Sequence, residues 1–240
     1  MRLWDDVFRK LDKCYGKGAH MSKKKALLTM IGFILLWAVV TDAWNYSGIL
    51  FPAHMLSFGK YLYGYFSRIL WMLPAILLLR GCERNLSWDR KQLFSRPKPE
   101  PIFWAFIAIT ALYALTSMAM NHHSWHMTSE NLPLLTMKLL IVGIGEETVF
   151  RGWGYNILRK TCSEKAALMI SAFLFAVLHW PAYFIKLLLY GRFDWAGILS
   201  QSISAFVCGI LFAVMLKRSR TLWNPILAHF CYDWMLEVFS

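Results

Sequence analysis

WAGILSQSISAFVCGILFAVML, Trp195 to Leu216, runs 22 residues without a charge and stops at Lys217-Arg218-Ser219-Arg220. As a helix it is about 33 Å long, enough to cross the ~30 Å hydrocarbon layer of a bilayer. A run of this kind, closed by a basic cluster, is the pattern of a membrane span with its end at a headgroup surface. Working outward, the same pattern recurs along the chain.

Spans are expected at about Ala26 to Trp44, Tyr61 to Leu79, Ile102 to Met120, Pro133 to Arg159-Lys160, Glu164 to Trp180, Trp195 to Leu216 and Asn224 to Phe239. The second is the weakest, because it contains Arg68 and Pro74. Ile49 to Phe58 before it reads as a short interfacial helix. Pro181 is expected to stop the fifth span, and Tyr183 to Phe193 to form a short amphipathic connection. The fold class is therefore all-α, a polytopic bundle of about seven transmembrane helices in one membrane domain, residues 1–240.

Composition agrees. The chain is 58% hydrophobic and 16% aromatic, with mean hydropathy +0.42. Its net charge of +12 is gathered in short blocks between apolar runs. That distribution excludes a nucleic-acid partner and fits loops facing anionic lipid. The N-terminus, Arg80 to Lys98, Arg159 to Lys165 and Lys217 to Arg220 fall on one side of a seven-span chain, so the N-terminus is expected to be cytoplasmic. The opposite loops hold only Lys60, Lys186 and Arg192, with Lys138 just inside the fourth span. The head, residues 1–25, is basic and partly amphipathic, suited to the inner membrane surface. The first span ends in Thr41-Asp42-Ala43-Trp44 with no small-residue cleavage site, so it reads as retained. Cys14, Cys82, Cys162, Cys208 and Cys231 are scattered, with no CxxC spacing and no disulfide framework.

Against this background GEETVFRGW, Gly145 to Trp153, stands out. A charge at mid-bilayer costs about 2.5–3.5 kcal/mol, so Glu146, Glu147 and Arg151 need a reason to be there. Glu147 and Arg151 are four apart, acid first, the favourable order for an ion pair on one helix face. That spacing accounts for Glu147 and Arg151 and leaves Glu146 outside the pair. FAVLHW, Phe175 to Trp180, adds His179. HFCYD, His229 to Asp233, adds an imidazole and a carboxylate on one face.

Depth ties them together. Glu146 lies thirteen residues before Arg159, ~20 Å of helix; His179 lies fifteen after Glu164, ~22 Å; Asp233 lies thirteen after Arg220, ~20 Å. Three helices thus place ionisable residues in one layer, which points to a shared buried polar site. Such a group suits activation of water. A desolvated glutamate is a stronger base than a hydrated one. A neighbouring histidine can orient the same water, and a His/Asp pair can stabilise an oxyanion. In the alternative arrangement His179, His229 and Asp233 bind Zn²⁺ and Glu146 takes the water proton. Either way the reaction is hydrolysis of an amide in or near the bilayer. No GxSxG elbow is present, and no cysteine has an evident base partner.

EETVFR, FAVLH and HFCYD resemble the motifs EExxxR, FxxxH and HxxxN/D of the CAAX protease and bacteriocin-processing (CPBP, also called Abi) membrane proteases, which include the Rce1-type CAAX prenyl proteases. The similarity covers about Met137 to Asp233, taken as the catalytic core, residues 137–233. The resemblance implies an intramembrane endopeptidase in which Glu146 and His179 activate water, His229 and Asp233 form an oxyanion hole or complete a metal site, and Glu147 and Arg151 support them. It leaves both a metalloprotease and a metal-free glutamate mechanism open. Asp233 stands where the family tolerates Asn or Asp. Asn donates to an oxyanion directly, whereas Asp does so only when protonated, and ionised it suits metal or His229. The implied partners are a peptide or protein substrate, prenylated or membrane-bound, and the lipid bilayer. A bacterial chain of this kind would sit in the plasma membrane.

Two other functions fit buried Glu and His: a proton- or ion-coupled transporter, and a non-catalytic immunity or regulatory partner. The absence of an internal repeat weighs against common transporter plans. His122, His123 and His126 read as a solvated loop. Gly143, Gly145, Gly152, Gly154 and the Ala205/Gly209/Ala213 stripe read as close helix contacts.

Overall fold

A computed structural model describes residues 23–47, 69, 72–73, 86–121 and 131–239. The basic head before residue 23, the interfacial helix at 49–58, most of the second span and the loop histidines 122, 123 and 126 lie outside them.

Among the described residues every regular element is a helix. Helix α1 is Lys23–Ser47, α2 Arg90–Leu93, α3 Pro101–Asn121 and α4 Asn131–Glu147. A π-helical segment, Thr148–Tyr155, continues α4 into α5, Asn156–Thr161. Then follow α6 Glu164–Val177, α7 Trp180–Tyr190, α8 Trp195–Ser219 and α9 Trp223–Phe239. Among the described residues three stretches are long and apolar enough to cross a membrane: Pro101–Met120, Glu164–Tyr190 and Trp195–Ser219. Their outer faces carry large apolar side chains such as Ile109, Leu112 and Leu199, a surface suited to lipid and not to water. The protein is an integral membrane protein.

Local chemistry sets the helix starts. Ser163 Oγ accepts the Ala166 N–H at 3.3 Å and Glu164 follows in the first turn. Asp194 caps α8 by accepting the Gly197 N–H at 2.8 Å. Pro181 acts differently from expectation. It does not end the fifth span; it sits in the first turn of α7, after a brief turn at Leu178 and His179. A first-turn proline lacks only an N–H that would have no helical acceptor, and its fixed φ is already helical. The expected amphipathic connection is thus a helix continuing the apolar stretch. It ends at Gly191, whose φ of 65° is the left-handed cap that glycine adopts without steric cost.

In lipid, helices associate by close packing, because lipid chains compete for apolar contact. A Cβ on Gly209 of α8 would lie 2.9 Å from Ala172 Cα of α6, so the small residue sets the spacing of that pair. A Cβ on Gly143 of α4 would come within 3.2 Å of the Ile226 carbonyl oxygen on α9. Gly145 does not share this role: nothing lies within 4 Å of its Cβ position.

One end of the bundle is tied by polar contacts. Asn156 Nδ2 donates to the Trp88 carbonyl at 2.8 Å, and its Oδ1 accepts the Trp88 N–H at 2.8 Å. Asn224 treats Lys98 the same way, at 2.6 and 3.0 Å. Arg159 stacks over Trp88 at 4.2 Å and reaches Glu164 at 3.8 Å, and Lys217 pairs with Glu164. The basic segments at 86–98, 159–165 and 217–220 therefore share one end of the molecule, as their positions in the sequence imply.

Candidate active site

The site is built on the junction of α4 with the π segment. Every residue from Thr148 to Tyr155 is buried, so this turn is packed on all sides, chiefly by α1, α4, α6 and α8. A π turn closes its hydrogen bonds one residue farther along than an α turn, and such turns are common at functional sites. The wider turn is braced from outside: Ser171 Oγ of α6 donates to the Phe150 carbonyl at 3.3 Å. The span expected from Pro133 to Arg159-Lys160 is thus a composite rod of α4, the π segment and α5.

Glu147 lies at the centre. Its Oε1 accepts from Arg151 Nη1 at 2.9 Å, the pair expected from the spacing, and both side chains are 0% exposed. The same oxygen accepts from His229 Nδ1 at 3.0 Å. With Nδ1 spent on that bond, His229 Nε2 faces two more carboxylates, Asp233 Oδ2 at 3.4 Å and Glu146 Oε2 at 3.8 Å. Glu146, Glu147, His229 and Asp233 are therefore gathered round one imidazole. Exposure grades outward: 7% for the His229 side chain, 19% for Glu146 and 27% for Asp233. Glu147 and Arg151 are sealed, and Glu146 and Asp233 form the accessible lip.

His179 meets the same phenyl ring, Phe175, that His229 meets. Its ring meets Phe175 edge-on at 5.5 Å, and the His229 ring meets the same phenyl at 5.7 Å. His179 Nδ1 donates to the carbonyl of Phe175 at 3.1 Å, which leaves Nε2 as the acceptor nitrogen. Two aromatic rings complete the setting. The Arg151 guanidinium carbon lies 4.1 Å from the Phe175 centroid and 5.2 Å from that of Phe212. Phe175 is part of FAVLH; Phe212 belongs to α8 and carries no signal in the sequence beyond being apolar.

A zinc site would need His179, His229 and a carboxylate to converge. Among the described residues no three His, Cys, Asp or Glu side chains are arranged to hold a metal ion. His229 Nδ1 is taken by Glu147, which is itself paired with Arg151, and Nε2 is the nitrogen that faces Asp233 and Glu146.

Beside the site, α3, α8 and α9 leave a groove of about 1000 Å³. Its walls are mostly apolar, with Ile109, Ile203 and Val207 among them, and the Ser204 and Tyr232 hydroxyls bond across it at 2.6 Å. Tyr232 immediately precedes Asp233 in α9.

Residues 128–235 match the family model described as "Type II CAAX prenyl endopeptidase Rce1-like". No curated protein and no solved structure matches the chain.

Proposed function

We propose that this chain, Rce1-like over residues 128–235, is an intramembrane endopeptidase that hydrolyses a peptide bond with a water activated by Glu146 and His179. The observation that carries the reading is the single imidazole, His229, shared among a buried Glu147–Arg151 pair and the two accessible carboxylates Glu146 and Asp233. Glu146 sits at the lip, where water and substrate reach it. It takes a proton as the water oxygen adds to the carbonyl carbon. His179 Nε2, the acceptor nitrogen, orients that water. His229, protonated on both ring nitrogens and held from behind by Glu147, donates its Nε2–H to the developing oxyanion, with Asp233 beside it. The proton held by Glu146 then passes to the leaving amine nitrogen as the C–N bond breaks, yielding a carboxylic acid and an amine. The apolar groove beside Asp233 gives a lipid-anchored or membrane-embedded substrate a lateral path to the bond. We place the N-terminus in the cytoplasm and treat residues 137–233 as the catalytic core of a single membrane domain. No step is routed through a metal.

The test is cleavage of a quenched farnesylated peptide ending in Cys-a-a-X, and of its unprenylated twin, by protein in detergent or proteoliposomes. Glu146→Gln keeps the shape and is expected to lower kcat by about 10²–10⁴-fold, the usual worth of a positioned general base. Cleavage equal to wild type would remove Glu146 from this role. A chelator is expected to leave cleavage unchanged; loss on chelation, with recovery on adding Zn²⁺ at one equivalent, would replace this mechanism by the metal-centred one.

A further inference from the structure

Phe212 lies outside the three motifs, yet it touches both halves of the site. Its ring is 1% exposed and lies nearly flat against the His229 imidazole, centroids 5.3 Å apart and planes inclined by 24°. The same ring lies 5.2 Å from the Arg151 guanidinium carbon. Behind it, Phe106 of α3 packs edge-on at 5.4 Å, so the phenyl is itself fixed in place.

These contacts bear on one torsion. His229 makes its bond to Glu147 through Nδ1 and faces Asp233 and Glu146 through Nε2. Both relations hold at one setting of the imidazole about its Cβ–Cγ bond. A terminal torsion of this type is broad and weakly restrained by itself. The near-parallel phenyl of Phe212 fills the space on one face of the imidazole, so the ring packs best at this setting and loses that contact when it turns. The edge of Phe175, 5.7 Å away at 89°, bounds the imidazole on another side.

We infer that Phe212 is a positioning residue, which holds the His229 ring in the plane that aims Nδ1 at Glu147 and Nε2 at the lip carboxylates. The inference rests on His229 serving the reaction proposed above, but the ring's confinement is a separate physical claim. Small losses of alignment in a reacting site are costly: a displacement of about 1 Å can lower rate ~100-fold. Removing the phenyl face thus lowers turnover more than substrate binding, since Phe212 sits behind the imidazole and away from the lip.

The experiment compares wild type, Phe212→Leu and Phe212→Tyr as full-length protein in proteoliposomes. It has two arms: kcat and KM on the farnesylated peptide, and nitrogen-15 resonances of labelled histidine, with His229 assigned by the loss of its signals in His229→Gln. Phe212→Leu is expected to lower kcat about tenfold or more with KM within about twofold. Its His229 ring signals broaden or average, and Phe212→Tyr, which keeps the ring, restores both. Unchanged kcat and unchanged ring signals in Phe212→Leu overturn the inference, as does equal loss in the Leu and Tyr variants when both retain the wild-type elution profile. Should wild type itself fail to cleave the peptide, the protease reading fails, and the nitrogen-15 arm still decides whether Phe212 confines the ring.

Discussion

At Glu147 Oε1 two donors meet, Arg151 Nη1 at 2.9 Å and His229 Nδ1 at 3.0 Å. A carboxylate behind an imidazole fixes both the tautomer and the direction of the other ring nitrogen. Glu147 therefore links the buried cation to the accessible lip, and the neighbouring Glu146 faces the same imidazole from the opposite side of its partner's charge. Removing one member of a buried pair leaves a charge without compensation, at a cost of about 3–5 kcal/mol, while replacing both by apolar side chains is often nearly neutral. Glu147→Ala is thus expected to lower unfolding stability in detergent by that amount. The double variant Glu147→Met/Arg151→Leu is expected to recover most of it and to stay inactive. Equal stability of wild type and Glu147→Ala, read by thermal unfolding, would show that the pair is not buried as described.

At the scale of elements, the apolar runs forecast α3, α8 and α9 to within a few residues, because length, apolar composition and flanking basic residues or Asn-Pro starts are local properties. Pro181 was legible as a helix boundary but not as to which side of it the helix lay: the same fixed φ that ends one helix suits the first turn of another. The π segment from Thr148 to Tyr155 had no sequence signal, since α and π turns occupy the same region of backbone torsions and differ in which carbonyl each N–H reaches. Spacing on α8 makes its own prediction. Gly209→Ala puts a methyl 2.9 Å from Ala172 Cα, backbone that has no side chain to swing aside. It is expected to destabilise the protein by about 1–3 kcal/mol, the usual range for overpacking. Unchanged thermal stability would mean that α6 and α8 part freely at this contact.

For the whole molecule, three basic segments far apart in sequence are drawn to one end through Asn156, Asn224, Glu164 and Trp88, and the carboxylates and imidazoles lie deeper in the bundle. The groove between α3 and α8 is lined mostly by apolar side chains, among them the exposed Ile203 and Val207. A substrate arriving from lipid would meet Ile203 and Val207 before Tyr232. Ile203→Trp, which fills that groove from an exposed position, is expected to raise KM for the farnesylated peptide roughly tenfold, about 1.4 kcal/mol of binding, with kcat little changed. An equal effect on a soluble unprenylated peptide would argue against a lateral route.

By itself the sequence determined the class of the molecule and its chemical inventory. Uncharged runs of bilayer length can be satisfied only as helices in lipid, and costly intramembrane charges mark where polar work is concentrated. Periodicity within a helix also assigned Arg151 to Glu147. Only the tertiary structure decided that His229 reaches across to Glu147, that Glu146 and Asp233 share its other nitrogen, that His179 and His229 meet the same phenyl ring of Phe175, and that Phe212 lies against the imidazole. Each of these joins residues on different helices, and the rotation of one helix about its axis relative to another is set by packing among side chains distant in sequence, which no local pattern encodes.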